Sequence, residues 1–111
     1  MCDFKVLVKN DYGYTAQCFW CNHLEVAFGT SLIRFHLNYL DQFISYLQCV
    51  KGKSIIFDNG RKNVLLDIAS IDMFQMILTY DELTYLCDLV EKMEEEIKAN
   101  ALLELFNRKL L

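Results

Sequence analysis

Phe4-Lys5-Val6-Leu7-Val8-Lys9-Asn10-Asp11-Tyr12-Gly13-Tyr14-Thr15-Ala16-Gln17-Cys18-Phe19-Trp20-Cys21 is the stretch that decides the fold of this chain. Phe4, Val6 and Val8 alternate with Lys5 and Lys9, the period-two rhythm of a half-buried strand. Asn10-Asp11-Tyr12-Gly13 is a turn signal, with Gly13 free to take a positive φ. Tyr14, Ala16 and Cys18 then resume the alternation. An antiparallel hairpin follows, residues 4–9 against 14–19. That pairing sets Cys2 opposite position 21, 22 or 23, according to register, and so beside the Cys18-Phe19-Trp20-Cys21 corner.

Working outward, Cys21-Asn22-His23 makes a second turn, and Leu24 to Phe35 reads as one or two strands interrupted near Gly29-Thr30-Ser31. Leu40, Phe43, Ile44, Leu47 and Val50 fall on one helical face. Asn38 is placed as its N-cap, and Gly52 marks its exit. Ser54 to Phe57 is strand-like, Asp58-Asn59-Gly60-Arg61 is a strong hairpin signal, and Asn63 to Ile68 and Met73 to Leu78 supply two more strands. A long helix starts near Tyr80. Thr79-Tyr80-Asp81-Glu82 has the form of a capping box, and Leu83, Leu86, Cys87, Val90, Met93 and Ile97 form its apolar stripe.

The two helices superpose in phase: a shift of 43 residues lays Leu40, Phe43, Ile44, Leu47 and Val50 over Leu83, Leu86, Cys87, Val90 and Met93. The sequence therefore predicts one α+β domain spanning 1–111. Its two layers are an antiparallel sheet of about six strands and two helices on one face. A β-β-β-α duplication over 4–50 and 54–97 is a candidate origin, although any two amphipathic helices superpose this way. Residues 98–111 extend the last helix.

Composition narrows the class. Hydrophobic residues make up 54% of the 111 and proline is absent, so the chain can bury a core and shows no linker. The net charge is −4, unevenly spread: residues 1–62 hold seven Lys/Arg against five Asp/Glu, and 63–111 hold four against ten. The basic surface reduces to Lys51, Lys53, Arg61 and Lys62, which makes nucleic acid a weak candidate partner. Met1 to Lys5 does not read as a secretory signal, and no run approaches the length of a membrane helix. With five cysteines, an odd number, the expectation is a cytoplasmic chain with thiols that are free, redox-active or metal-bound.

Cys18 and Cys21 form a CxxC, a knuckle able to give two thiolates to tetrahedral zinc. With Cys2 carried across the hairpin and His23 two residues beyond, Cys2, Cys18, Cys21 and His23 are the candidate set for a structural zinc ion. A thiol-redox pair at Cys18 and Cys21 is the alternative; against it, the motif follows a strand and opens no helix whose dipole would lower a thiol pKa. Simple packing of the cysteines is the third reading. Cys87 lies on the core stripe, and Cys49 beside the other. Tyr12, Tyr14, Phe19 and Trp20 are read as core packing, with base stacking as the alternative, and His36 as a cap or surface residue. GxSxG, HExxH, P-loop and GxGxxG signatures are absent, and Glu91 to Glu96 reads as a solvated helix face. No catalytic residue is assigned.

Beyond Asn100 the helix changes character, with Ala101, Leu102, Leu103, Leu105, Phe106, Leu110 and Leu111 on more than one face. Such a segment either folds back, bending near Asn100, or packs on a second copy. A homodimer or a protein partner held through Leu102, Leu105, Phe106 and Leu110 is the expected association.

Cys2, Cys18-Phe19-Trp20-Cys21, Leu24-Glu25-Val26-Ala27-Phe28-Gly29-Thr30 and Met76-Ile77-Leu78-Thr79-Tyr80-Asp81-Glu82-Leu83 together resemble a family of short bacterial proteins of similar length. The resemblance covers nearly the whole chain. That family is a domain of unknown function with no assigned activity, so the resemblance implies an intracellular domain and nothing about chemistry. Zinc is inferred from spacing alone.

Overall fold

A computed structural model describes residues 3–54, 60–62, 64–67 and 75–110. It is α+β: β1 (Phe4–Asn10), β2 (Gly13–Cys18), β3 (His23–Phe28), β4 (Ser31–His36), a 3-10 turn (Leu37–Tyr39), α1 (Leu40–Ser54), β5 (Val64–Asp67), β6 (Gln75–Leu78) and α2 (Tyr80–Leu110). The six strands do not form the single sheet expected. They make a four-stranded sheet in the order β1-β2-β3-β4 and a separate two-stranded sheet of β5 and β6, with every pairing antiparallel. Alternation along a strand fixes which face is buried but not which strand lies alongside, and that choice is where the expectation failed. Four strands precede α1, and two described strands precede α2. Ser54, where a strand running to residue 57 was expected to start, is instead the last residue of α1; the rest of that strand and the tip of the 58–61 hairpin lie outside the described residues, although Gly60 has the positive φ, 74°, that such a turn requires.

Two compact units arise from this order. The first comprises residues 1–40 and 89–111, the second residues 41–88. In the first, the meander β1–β4 has one apolar face carrying Leu24, Val26, Phe28 and Ile33, all buried, and the second half of α2 contributes buried Leu89, Val90 and Met93. Thr15 lies on the same sheet face, opposite Val26, and its buried hydroxyl has no hydrogen-bond partner among the described residues. The other face carries Ala16, Glu25 and Arg34 side by side across β2, β3 and β4.

The β1–β2 hairpin forms, but a bulge interrupts it. Val8 pairs with Thr15, whereas Val6 pairs with Ala16 and Phe4 with Cys18. The extra residue at Leu7 turns Val6 and Val8 to opposite faces, so the regular alternation of Phe4, Val6 and Val8 ends there. Val6 is exposed as a result. Gly13 is not among the positive-φ glycines; it is required for close approach to β3 instead.

The second unit joins α1, β5, β6 and the start of α2. Ile44 and Leu47 of α1, Val64 and Leu66 of β5, Met76 and Leu78 of β6, and Leu83, Leu86 and Cys87 of α2 are its buried apolar residues. The Tyr46 hydroxyl accepts the Asp67 N–H at 2.8 Å. The expected Asn38 cap is replaced: His36 is the N-cap of the 3-10 turn, its Nδ1 accepting the Asn38 N–H at 3.1 Å. Gly52 does not end α1, which runs on to Ser54.

At the start of α2 the capping box is complete. The Glu82 N–H donates to Thr79 Oγ1 at 3.0 Å, and the Thr79 N–H donates to Glu82 Oε1 at 2.9 Å. The Lys62 ammonium donates to the same carboxylate at 2.6 Å. That ammonium, followed by the Thr79 N–H, holds the Glu82 carboxyl below its ordinary value against the opposing effect of burial. A carboxylate with a depressed folded-state pKa contributes stability above the ordinary carboxylate range and loses it as pH falls through the folded value. Glu82→Gln is therefore expected to cost about 1 kcal/mol at neutral pH. The gap between variant and parent should close on acidification, as read by urea unfolding from pH 7 down to pH 3. A gap that does not change with pH would refute this role.

Candidate functional site

Cys18 ends β2 and Cys21 closes the turn that leads into β3. The turn is held by the Asn22 N–H, which donates to the Cys18 carbonyl at 2.9 Å. Asn22 has φ 57°, a left-handed conformation that asparagine tolerates better than other side-chain-bearing residues. Its own carbonyl accepts the Leu37 N–H at 2.8 Å, which ties the turn to the segment after β4. A β2–β3 connection closed this way curls its backbone around the Cys18 sulfur.

The electrostatics follow from that curl. Cys18 is buried, and burial by itself opposes a thiolate. The backbone N–H groups of Cys21 and Trp20, the Cys21 side chain and the Asp3 N–H are all directed at the sulfur and outweigh burial, lowering the Cys18 pKa from 9.0 to about 7. No helix opens at the motif, as expected from its place after a strand, yet the thiol is acidified all the same. Turn amides supply what a helix N-terminus was expected to be needed for. Cys21 is half-buried, and none of the four described cysteines is in a disulfide.

The structure brings Cys18 and Cys21 together. His23, the first residue of β3, pairs across the strands with His36, their rings edge to face with centroids 5.3 Å apart. Cys2 lies outside the described residues. Among the described residues no group of three or more His, Cys, Asp or Glu is gathered that could hold a metal ion. Cys18, Cys21 and His23 are thus not a metal site on their own. Cys49 is exposed on α1 and Cys87 is buried on α2.

The aromatic cluster is not the core packing expected. Trp20 is 84% exposed at the tip of the turn, Phe19 and Tyr12 are also exposed, and only Tyr14 is drawn in. Tyr12 stacks on Phe28 at 6.0 Å, and the Lys5 ammonium lies 5.6 Å from the centre of the Phe19 ring. Of the basic residues proposed for nucleic acid, Lys62 is engaged by Glu82.

One polar cluster was missed in the sequence. Glu25 is buried on the second face of the first sheet. It accepts the Tyr14 hydroxyl at 2.5 Å and Arg34 Nε at 2.8 Å, and the Arg34 guanidinium lies 5.1 Å over the Phe4 ring. The hydrogen bond to Glu25 is the main cause that raises the Tyr14 pKa, with burial next. This is a satisfied buried carboxylate that pins three strands together. A turn centred on Gly29-Thr30 sets residue 25 against residue 34, and that was the signal available.

Comparison with protein families, curated proteins and solved structures found no match. What the site can do is therefore argued from its own chemistry: a pair of sulfurs at one turn, one of them held near its thiolate form at neutral pH.

Proposed function

We propose that this chain is a non-enzymatic cytoplasmic interaction domain in which Cys18 and Cys21, together with Cys2 and His23, bind a structural zinc ion. The observation that supports the reading is the ring of N–H donors around the Cys18 sulfur. Zinc takes cysteine as thiolate, and backbone donors to the sulfur both favour that form and fix its direction. The Cys21 side chain is already within hydrogen-bonding reach of Cys18, so two ligands of a tetrahedral set share one corner. Cys2 precedes Asp3, whose N–H is one of those donors. His23 follows two residues after Cys21 and would exchange its edge contact with His36 for the metal.

Metal analysis tests this. Protein purified without chelator should carry about one equivalent of zinc, and Cys18→Ser or Cys21→Ser should reduce it below about a tenth and lower the unfolding midpoint. Substoichiometric zinc in the parent, with folding unchanged by chelator, would overturn the reading.

The lowered Cys18 pKa also suits a thiol-redox pair with Cys21, the second reading. Burial of Cys18 argues against it, because the sulfur whose pKa is lowered is one a substrate cannot reach. Alkylation separates the two. A zinc-bound pair resists iodoacetamide until chelator is added, whereas a dithiol reacts at once and yields a Cys18–Cys21 disulfide on mild oxidation.

A further inference from the structure

Cys18 and Cys21 stand three residues apart in a turn that closes on itself. The Asn22 N–H donates to the Cys18 carbonyl at 2.9 Å, a bond between residues four apart that wraps 18–22 into a single helical-type turn. Side chains three apart in such a turn lie on one side of it, their Cβ atoms about 5–6 Å from each other. Left-handed Asn22 then leads the chain into β3, so the corner is a fixed feature of the β2–β3 connection. Cys18 is buried and Cys21 half-buried. One sulfur is sheltered and the other is partly open to solvent.

This corner offers two sulfurs to an ion and backbone donors to the charge that remains. The Trp20, Cys21 and Asp3 N–H groups are directed at the Cys18 sulfur. Thiolates are soft ligands, and the ions they select include Cu(I) as well as zinc. The two ions differ in what they need. Zinc takes four ligands, whereas a cuprous ion is satisfied by two thiolates in line. Two thiolates on a monovalent ion keep one net negative charge, and in a corner closed to water that charge needs hydrogen-bond donors. The N–H groups around Cys18 are such donors. We propose that Cys18 and Cys21 form a two-coordinate site for a cuprous ion, closed by the 18–22 turn. Each thiol gives its proton to solvent, two sulfur–copper bonds form, and copper stays Cu(I) throughout, so no oxidant or reductant is consumed. Because Cys18 is already held near its thiolate form, protons compete less with the metal at neutral pH. The site uses these two sulfurs alone and does not depend on the zinc reading, which also needs Cys2 and His23.

Copper titration of the full chain, stripped of metal, reduced and kept under nitrogen, tests it. With copper supplied as Cu(I) against the chelator bathocuproine disulfonate, the parent should withhold about one equivalent. X-ray absorption of that complex should show two sulfur neighbours and no imidazole nitrogen. Cys21→Ser should weaken binding by more than about a hundredfold, since even the outer partners of a metal ligand are worth about 10–100-fold. Cys18→Ser should do the same, and the half-buried Cys21 supplies the informative variant if serine at position 18 unsettles the sheet. Cys49→Ser should leave copper affinity unchanged. So should His23→Ala, which removes a ligand of the proposed zinc set and should lower zinc content alone. A parent that yields all its copper to the chelator overturns the inference. So does a complex with nitrogen or more than two neighbours at the copper, or copper lost in His23→Ala. Copper lost in Cys49→Ser also overturns it, and assigns the ion to an exposed thiol on α1.

Discussion

Replacing Gly13 by alanine is expected to lower the stability of the chain by about 3 kcal/mol or more, enough to unfold a marginal domain. Gly13 opens β2 opposite Phe28. A Cβ built there would run into the Ala27 carbonyl oxygen and stand 2.8 Å from the Ala27 carbonyl carbon and 3.0 Å from Phe28 Cα. All three atoms belong to the backbone of an interior strand, so no side chain can swing aside to make room. β2 and β3 would have to part at the end where the meander is closed by the Gly29 N–H donating to the Tyr12 carbonyl. Gly52 provides the control. A Cβ at that position meets nothing within 4 Å, and the residue lies inside α1, so Gly52→Ala should raise stability by about 0.5–1 kcal/mol. Urea midpoints for the two variants should move in opposite directions. A harmless Gly13→Ala would mean that β2 and β3 do not approach as described.

Leu89→Ala is the second large effect, expected at about 2–5 kcal/mol. Leu89 has 0% exposure, and its neighbours Val90 and Met93 are equally buried. Removing three carbons from such a site loses their transfer from water and leaves a cavity that the surroundings fill only in part. Leu102→Ala on the same helix gives the contrast: the same residue type, 68% exposed, should change monomer stability by less than about 0.5 kcal/mol. Thermal or chemical unfolding at low protein concentration reads both. Similar losses at the two positions would show that the far end of α2 is covered within the monomer, and that would remove the apolar surface offered for dimerisation.

What the sequence showed and what it concealed divides along a physical line. Local signals were legible. The turn at Asn10 to Gly13 and the reciprocal capping box at Thr79 and Glu82 act over three or four residues and both formed, the turn without the positive φ expected of Gly13. The length of α2 was also legible, because neither glycine nor proline interrupts the run from Asp81 to Leu110. Strand partners were not legible, since β5 and β6 bury alternate residues whatever strand lies beside them. The bulge after Val6 carries no glycine to announce it. His36 took the capping role from Asn38 because β4 reaches it in extended conformation with a free acceptor at Nδ1. At the candidate site, the pairing of Cys18 with Cys21 followed from CxxC spacing. The acidity of Cys18 did not, because it depends on where the amides of a curled turn point, and only the left-handed Asn22 hints at that curl.

The first compact unit is discontinuous in the chain: its four strands are spelled by the opening 36 residues and its helix by residues after 88. During synthesis the meander leaves the ribosome well before the leucine, valine and methionine that complete its unit have been made. For that interval Leu24, Val26, Phe28 and Ile33 await partners more than fifty residues downstream. A nascent chain stalled before position 89 should accordingly be the species most prone to aggregate or to recruit a chaperone, and release of the last segment is the event that makes the fold cooperative.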